Sequence, residues 1–276
     1  MAQIGLSEHR PVALIIPLAR ESLKYLPAAM ESVDRQKPVG KILLVPGEDG
    51  ASEVERYVSS DIYPSRLSRI TQILVTADST DLNQAYKRNL ALSTIDPDAF
   101  PFTATFDGDD QYVVSGEIIE GKEVNEGGLE TLLRLIEKTS HPETGQPVSW
   151  VLSDFWRNED GILTPDRPQG PWENNFVTPE NLRKFGHKEF PFGPPSAIFR
   201  TEALSSHGGW SAFAMAEDRD LYWSLAHRNI SIVDAMLMKM RRSQYDKPAS
   251  LVPDLLTQIQ KYVSEGPPRI SASSAP

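Results

Sequence analysis

Residues 102–110, with the sequence FTATFDGDD, join a short apolar run directly to three carboxylates. The first five residues are aromatic, β-branched or small, which predicts a buried strand. Three acidic side chains at the end of a buried strand repel one another unless a positive group lies among them. Hard cations such as Mg²⁺ or Mn²⁺ meet that need, often together with a phosphate-bearing ligand. The alternative is a solvated turn of aspartate and glycine, and this stretch alone leaves both interpretations open.

The chain before this stretch alternates between strand-like and helix-like patterns. Short apolar runs predict buried strands at residues 12–16, 41–45 and 70–75. Apolar residues at helical spacing predict helices at residues 21–35, 51–58 and 82–92. Strands separated by helices predict an α/β fold with a mostly parallel central sheet and helices on both faces.

The pattern changes after the acidic cluster. Glycines among alternating residues predict an inserted hairpin within residues 112–128, and a helix follows at 129–139. The remaining elements expected are strands at 149–155 and 230–233 and a helix at 217–227. Residues 160–188 are rich in Pro, Asn and Gly and predict a long ordered loop, of the kind that often forms a lid or a binding element.

Composition narrows the class of protein. The chain has 276 residues, enough for one large α/β domain, and its formal net charge of -10 disfavours non-specific attraction to nucleic acid or anionic lipid. It contains no cysteine, which excludes disulfides, a thiolate nucleophile and Cys-ligated zinc. No apolar stretch is long enough to cross a bilayer, and the N-terminus lacks a signal-peptide pattern. We therefore expect a cytoplasmic protein without a transmembrane segment.

Several short motifs follow one another in a characteristic order. They are a first strand ended by Pro17, the Arg88-Asn89 pair, the DGDD cluster at 107–110, the GGW motif at 208–210 and Glu217-Asp218. In this order they resemble family 2 glycosyltransferases of the GT-A fold, from about residue 12 to about residue 245. Each motif is weak alone, and their order and spacing carry the resemblance. It implies one domain over residues 1–266, with a donor half at about 10–111, an acceptor half at about 112–248 and a disordered tail at 267–276.

The resemblance implies a metal and donor site at the acidic cluster. Asp109 would hold the Mn²⁺ or Mg²⁺ ion that bridges the diphosphate of a nucleotide sugar. Asp107 would share this metal site and face the ribose hydroxyls, with Gly108 between the two carboxylates. Asp110 would orient the metal site or cap the following segment. Such a site suits the chemistry, because the leaving diphosphate must be neutralised as the glycosidic bond breaks.

The resemblance also implies a pocket for the nucleotide base. It would be formed by two groups of residues, Pro17, Ala19, Arg20 and Glu21 after the first strand, and Glu48 and Asp49 after the second. Relatives usually carry adjacent acidic residues at the second position. Here these residues follow an unusual Pro-Gly pair, which leaves the contact residue and the identity of the base open. Arg88 would reach the nucleotide, with a helix-surface ion pair as the alternative.

The acceptor half is expected to supply a general base. An acceptor hydroxyl is a poor nucleophile until it loses its proton, and Asp218 matches the base of the family's Glu-Asp motif. Its alternative role is a cap or first-turn residue of a helix. Trp210 would pack against a sugar ring, with a core position as the alternative. The remaining acceptor residues expected are Pro195, Ser196 and Glu217.

These observations predict a metal-dependent, inverting glycosyltransferase that moves a sugar from a nucleotide-diphosphate sugar to an acceptor hydroxyl. The acceptor is left open among a glycan, a small molecule, a protein and a modified nucleobase in DNA, and the acidic net charge disfavours the last. A sugar-nucleotide pyrophosphorylase is an alternative, but residues 17–21 lack the glycine-rich loop of that class. A non-catalytic nucleotide-sugar-binding module is another, and retention of all the acidic motifs argues against it.

Overall fold

The computed structural model of the chain describes residues 10–77, 84–119, 121–140, 145–159, 162–166, 176–177, 197–211, 221, 225 and 230–241. The strands are β1 (Val12–Leu18), β2 (Val39–Pro46), β3 (Thr71–Ile73), β4 (Phe102–Thr105), β5 (Gln111–Tyr112), β6 (Ile118–Ile119), β7 (Lys122–Glu123), β8 (Trp150–Glu159), β9 (Ile162–Asp166), β10 (Phe176–Val177), β11 (Ala197–Arg200) and β12 (Ile230–Arg241). The helices are a 3₁₀ helix (Arg20–Tyr25) and the α-helices α1 (Leu26–Asp34), α2 (Glu48–Val58), α3 (Ser65–Ser68), α4 (Gln84–Leu92), α5 (Gly128–Lys138) and α6 (Thr201–His207).

One large sheet runs through the described part of the molecule. Its main path has the strand order β10-β12-β8-β11-β4-β1-β2-β3, with β5 added beside β12 and β9 beside β8. β1 pairs in parallel with both β2 and β4, β2 pairs in parallel with β3, and β8 pairs in parallel with β12. β11 lies antiparallel between β4 and β8. The predicted α/β fold with a mostly parallel central sheet is confirmed.

Helices cover both faces of this sheet, as β1 shows residue by residue. Leu14 and Ile16 lie in a core cluster that also contains apolar residues of α1, α2 and α5. Ala13 and Ile15 point to the opposite face, into a second cluster with residues of α4 and α6. Because both faces are covered, β1 is buried along its whole length, which explains why it reads as a continuous apolar run.

Two helix starts differ from the sequence prediction. The predicted helix at 21–35 begins as a 3₁₀ helix, and α1 itself starts at Leu26 with a proline in its first turn. A proline fits there because its missing N–H is not needed at a helix start. α2 starts at Glu48 rather than at residue 51, after an extended Gly47. Acidic side chains in a first turn interact favourably with the positive end of the helix dipole.

The predicted loop at 160–188 is wrong in part. β9 pairs antiparallel with β8, and β10 pairs antiparallel with β12. These strands are short, and they are stabilised by pairing with a long neighbour rather than by an apolar pattern of their own. β5, β11, α3 and α6 were not predicted either.

Other predictions for the second half are confirmed. β8 and β12 lie where strands were expected, and both are longer than predicted. β6 and β7 form the predicted hairpin, and α5 is the helix predicted after it. Leu221 and Leu225 are helical, in agreement with the helix predicted at 217–227, while the rest of that helix and the tail at 267–276 lie outside the described residues. Among the described helices, none is long and apolar enough to span a membrane.

Candidate functional site

The acidic cluster lies at the carboxyl end of the central strands. β4 ends at Thr105, and the Phe106 amide still donates to the Ile15 carbonyl of β1 at 3.0 Å. The segment that follows β4 is thereby held against the end of β1. Ligands of open α/β sheets bind at this edge, beyond the carboxyl ends of neighbouring strands.

The cluster itself is a tight turn with two accessible carboxylates. The Asp110 amide donates to the Asp107 carbonyl at 3.1 Å and closes the turn. Asp107 and Asp109 are half-buried, whereas Asp110 is buried. Gly108 packs directly on β1, because a Cβ atom at this position would lie 2.4 Å from Leu18 Cδ2. The two carboxylates that the resemblance assigns to the metal are therefore partly exposed, on a turn that packs closely against β1.

We expect Gly108→Ala to lower the free energy of unfolding by about 1–3 kcal/mol, because a methyl group here overpacks the buried Leu18 side chain. Thermal denaturation measures the effect. Gly50→Ala is the matched control, because Gly50 is buried within α2 and its added Cβ would meet the tip of Leu23 at 3.1 Å. Equal behaviour of the two variants would contradict this expectation.

Arg88 is a buried cation paired with the cluster. Its side chain is 1% exposed, and Nη2 donates to Asp107 Oδ1 at 3.1 Å, where the Asp107 side chain is 30% exposed. The guanidinium also lies 5.9 Å from the centre of the Trp210 ring. Arg88 thus forms an ion pair, as the alternative expected, but its guanidinium is buried at the site rather than on the helix surface. Contact between Arg88 and a nucleotide stays a prediction.

Two neighbours of Arg88 on α4 also hold parts of the site, although no role was predicted for either of them. Lys87 is fully buried and its Nζ donates to the Leu18 carbonyl at 2.8 Å. Asn89 donates from Nδ2 to the Trp210 carbonyl at 2.7 Å and accepts from the Trp210 amide at 2.9 Å. A signal was present in the sequence, because Lys87 to Asn89 are three consecutive polar residues whose side chains spread over about 200° of a short helix that must also bury an apolar face.

Trp210 lies in the core. Its side chain is 0% exposed and belongs to the same apolar cluster as Phe199, with the two rings edge to face and their centres 6.0 Å apart. Of the two alternatives raised for Trp210, the structure shows the core position rather than a surface that a sugar could cover. The backbone of Trp210, rather than its ring, forms the hydrogen bonds to Asn89 of α4.

The residues expected around the base lie together at the same edge of the sheet. Pro17 is part of β1 and pairs with Val45, so the strand continues past the proline to Leu18. Ala19 is buried, whereas Arg20 and Glu21 are exposed. Beyond β2, the residues Glu48 and Asp49 form the exposed first turn of α2.

One contact joins these two loops directly. Arg20 Nη1 lies 4.0 Å from Asp49 Oδ2 in a largely exposed ion pair. The Glu48 amide donates to the Thr76 carbonyl at 2.9 Å, which fixes the start of α2 against the segment after β3. The structure thus brings the two predicted halves of the base pocket together.

The carboxylates fit a divalent cation that also binds a phosphate ligand. Among the described residues, no group of three acidic, histidine or cysteine side chains is arranged to hold a metal by itself. Mg²⁺ is usually bound by one or two carboxylates together with the phosphates of a substrate. Asp107 and Asp109 supply oxygen ligands of this kind at an accessible turn, and Arg88 shares one oxygen of Asp107.

The acceptor residues lie outside the described residues. Pro195, Ser196, Glu217 and Asp218 therefore remain predictions. The segment that carries the last two is bounded by described residues on both sides. Trp210 precedes it and Leu221 follows it, and both are buried in the same apolar cluster.

Comparison with known proteins identifies the fold. The structure resembles S. aureus TarS 1–349 in complex with UDP-GlcNAc, with a TM-score of 0.63 and 17% identity over 92% of this chain and 65% of that one. It resembles the mannosyltransferase PcManGT from Pyrobaculum calidifontis, in complex with GDP-Man and Mn²⁺, with a TM-score of 0.58 and 15% identity over 95% and 67% of the two chains. A third likeness is to GalNAc-T7 with UDP, GalNAc and Mn²⁺, with a TM-score of 0.55 and 9% identity over 86% and 44%.

These likenesses place the chain in the GT-A fold of glycosyltransferases. The chain spans about two thirds of the TarS fragment that it matches. Its sequence matches no protein-family model and no curated protein.

Proposed function

We propose that this chain of GT-A fold is a metal-dependent, inverting glycosyltransferase whose donor is a nucleotide-diphosphate sugar. The observation that carries the proposal is the turn at the end of β4, where two accessible carboxylates are backed by a buried arginine. The fold neighbours support the nature of the donor, because they hold UDP-GlcNAc, GDP-Man, or UDP together with GalNAc, and two of the three hold Mn²⁺.

In the donor half, Asp109 and Asp107 would hold the divalent cation together with oxygens of the diphosphate. When bound, such a cation neutralises the charge that develops on the leaving diphosphate. Asp107 would in addition accept hydrogen bonds from the ribose hydroxyls, and its orientation is fixed by Arg88. The base of the nucleotide would lie between two groups of residues, 19–21 on one side and Glu48 and Asp49 on the other.

In the acceptor half, Asp218 would act as the general base. It would take the proton of the acceptor hydroxyl, whose oxygen would attack the anomeric carbon as the bond to the diphosphate breaks. A single displacement of this kind inverts the configuration at that carbon. Pro195, Ser196 and Glu217 would border the acceptor, which is a hydroxyl compound of the glycan, small-molecule, protein or modified-nucleobase class.

A thermal-shift screen of UDP, GDP, TDP and CDP, each with and without Mn²⁺, tests the donor site. We expect one nucleotide to raise the melting temperature of the wild type only when Mn²⁺ is present. A ligand at one hundred times its dissociation constant stabilises the folded state by ~2.7 kcal/mol, and this corresponds to a rise of about 5–10 °C.

Asp109→Asn should abolish this shift, because the amide is a much poorer ligand for a hard cation. Asp61→Asn is the matched control, since Asp61 is exposed beyond the far end of α2 and should leave the shift unchanged. No shift with any nucleotide, or equal shifts in the wild type and Asp109→Asn, would refute the proposal.

A further inference from the structure

Three consecutive residues of α4 contact three separate parts of the candidate site. Lys87 binds the end of β1 at the Leu18 carbonyl, Arg88 binds Asp107 of the acidic turn, and Asn89 binds the backbone of Trp210. Successive side chains of an α-helix point about 100° apart, so neighbouring residues can reach different segments. Lys87 and Arg88 serve the donor half, whereas Asn89 reaches the segment that leads to the acceptor half.

Two hydrogen bonds join the Asn89 side chain to the backbone of Trp210. Its amide group donates to the Trp210 carbonyl at 2.7 Å and accepts from the Trp210 amide at 2.9 Å, so a single side chain satisfies both backbone groups of one residue. A pair of opposed hydrogen bonds fixes orientation as well as distance. The backbone of Trp210 therefore has a defined direction relative to α4.

The two glycines before Trp210 shape the chain around this amide. Gly208 and Gly209 have φ angles of 95° and 73°, in the region that favours glycine. A Cβ atom on Gly209 would lie 2.2 Å from Asn89 Oδ1, so the close approach of Asn89 requires glycine there for a second reason. The GGW motif is thus the backbone partner of Asn89.

What this contact fixes is the start of the segment that carries Glu217 and Asp218. Trp210 lies eight residues before Asp218 and is buried in the same apolar cluster as Leu221, which lies three residues after it. Ala85, Ala91 and Leu92 of α4 belong to that cluster too. The described residues on the two sides of this segment therefore belong to one core, and Asn89 holds the backbone of the one that precedes it.

We propose that Asn89 is a positioning residue that orients the acceptor half of the site relative to the donor half. The inference rests on the proposed function, since it assigns to Asn89 the placement of the general base. Removing the amide should leave the donor half intact, because Lys87 and Arg88 still bind their partners. Turnover should fall, because small displacements of a reacting group from its productive position are costly.

The first test compares nucleotide affinity with turnover in Asn89→Ala. The probes are the nucleotide identified by the thermal-shift screen and the sugar nucleotides that it forms with glucose, N-acetylglucosamine, galactose and mannose. Turnover is measured as hydrolysis of the sugar nucleotide, which releases the free nucleotide. We expect the dissociation constant and KM to stay within about twofold and kcat to fall about 10- to 100-fold. An equal loss of affinity and turnover, or no loss of either, would overturn the inference.

The Asn89→Asp variant tests whether the hydrogen bonds of Asn89 or only the volume of its side chain are needed. The carboxylate has the size of the amide but has no hydrogen to donate to the Trp210 carbonyl, so this variant should do no better than Asn89→Ala. Recovery of wild-type turnover in Asn89→Asp would mean that volume alone matters, and the inference would fail.

Gln36→Ala is the matched control, because the side-chain amide of Gln36 also hydrogen-bonds the backbone of other parts of the chain. Its Nε2 donates to the Val113 carbonyl at 3.3 Å and its Oε1 accepts from the Leu129 amide at 3.1 Å, on the opposite face of the sheet. Gln36→Ala should lower the melting temperature as much as Asn89→Ala and leave kcat unchanged. A similar drop of kcat in both variants would show that Asn89 contributes to the stability of the fold and not specifically to turnover.

Hydrogen exchange of the nucleotide-free protein provides a readout that does not depend on the donor. Asn89→Ala should speed exchange at residues 208–225 and leave the amides of β1 and β4 unchanged. If the wild type binds no nucleotide, the proposed function fails, but this measurement still decides whether Asn89 holds the segment. Unchanged exchange at 208–225 would overturn the inference.

Discussion

Replacing Arg88 with methionine is expected to lower the free energy of unfolding by about 2–3 kcal/mol. Breaking a buried ion pair by removing one partner typically costs ~3–5 kcal/mol, because the remaining charge stays buried without its partner. A value at or below the lower end of this range applies here, since the Asp107 side chain is 30% exposed and can be partly hydrated. Nucleotide binding should weaken too, because Asp107 loses the group that orients it. Urea denaturation followed by tryptophan fluorescence measures the first effect.

Arg134→Met is the matched control for this prediction. Arg134 pairs with Glu126 at 2.8 Å between Nη2 and Oε2, but both side chains are more than one third exposed. Exposed pairs contribute at most about 1 kcal/mol, so the control should lose much less stability. If Arg88→Met costs no more than Arg134→Met, then the buried pair does not stabilise this part of the fold as argued.

The second large effect is expected for Asp218→Asn. The asparagine cannot accept a proton, so transfer of sugar and hydrolysis of the donor should fall by about 10²- to 10⁴-fold. Nucleotide affinity should be unchanged, because the residues proposed to bind the donor lie in the other half. Initial rates of nucleotide release and calorimetric titration measure the two quantities.

Glu202→Gln is a suitable control here, because Glu202 is an exposed carboxylate in the first turn of α6. It removes one negative charge from the acceptor half without touching the GGW motif or Glu217. Transfer by Asp218→Asn at the normal rate would show that the base is another group.

Much of the fold could be predicted from the sequence because its central strands are covered on both faces. β1 and β2 are continuous apolar runs for that reason, and their helices follow with clear periodicity. The edge elements could not be predicted in this way. β9 pairs with the preceding strand β8, whereas β5 and β10 pair with β12 much later in the chain. A two-residue strand carries no sequence pattern that indicates so distant a partner.

The candidate site, too, could be predicted from the sequence only where its residues are close together in the chain. The acidic turn could be found because three carboxylates after an apolar run are unusual within one short stretch. The pairing of Arg88 with Asp107 spans 19 residues, and that of Asn89 with Trp210 spans 121. Such contacts depend on how α4 is seated on the sheet. The sequence predicted the residues of the turn and the helix at 82–92, but not the contacts by which this helix orients the turn.

The pairing of β5 with β12 bears on the order in which the chain can fold. The acidic turn lies between β4, which pairs with β1 from the first half, and β5, which pairs with Met238 and Lys239 of β12. Contacts between distant parts of a chain close large loops and form late, so the two sides of the turn are secured at different times. During synthesis, the strands of the donor half can assemble long before residues 230–241 exist. The turn that carries the carboxylates is then completed only when nearly the whole described chain has been made.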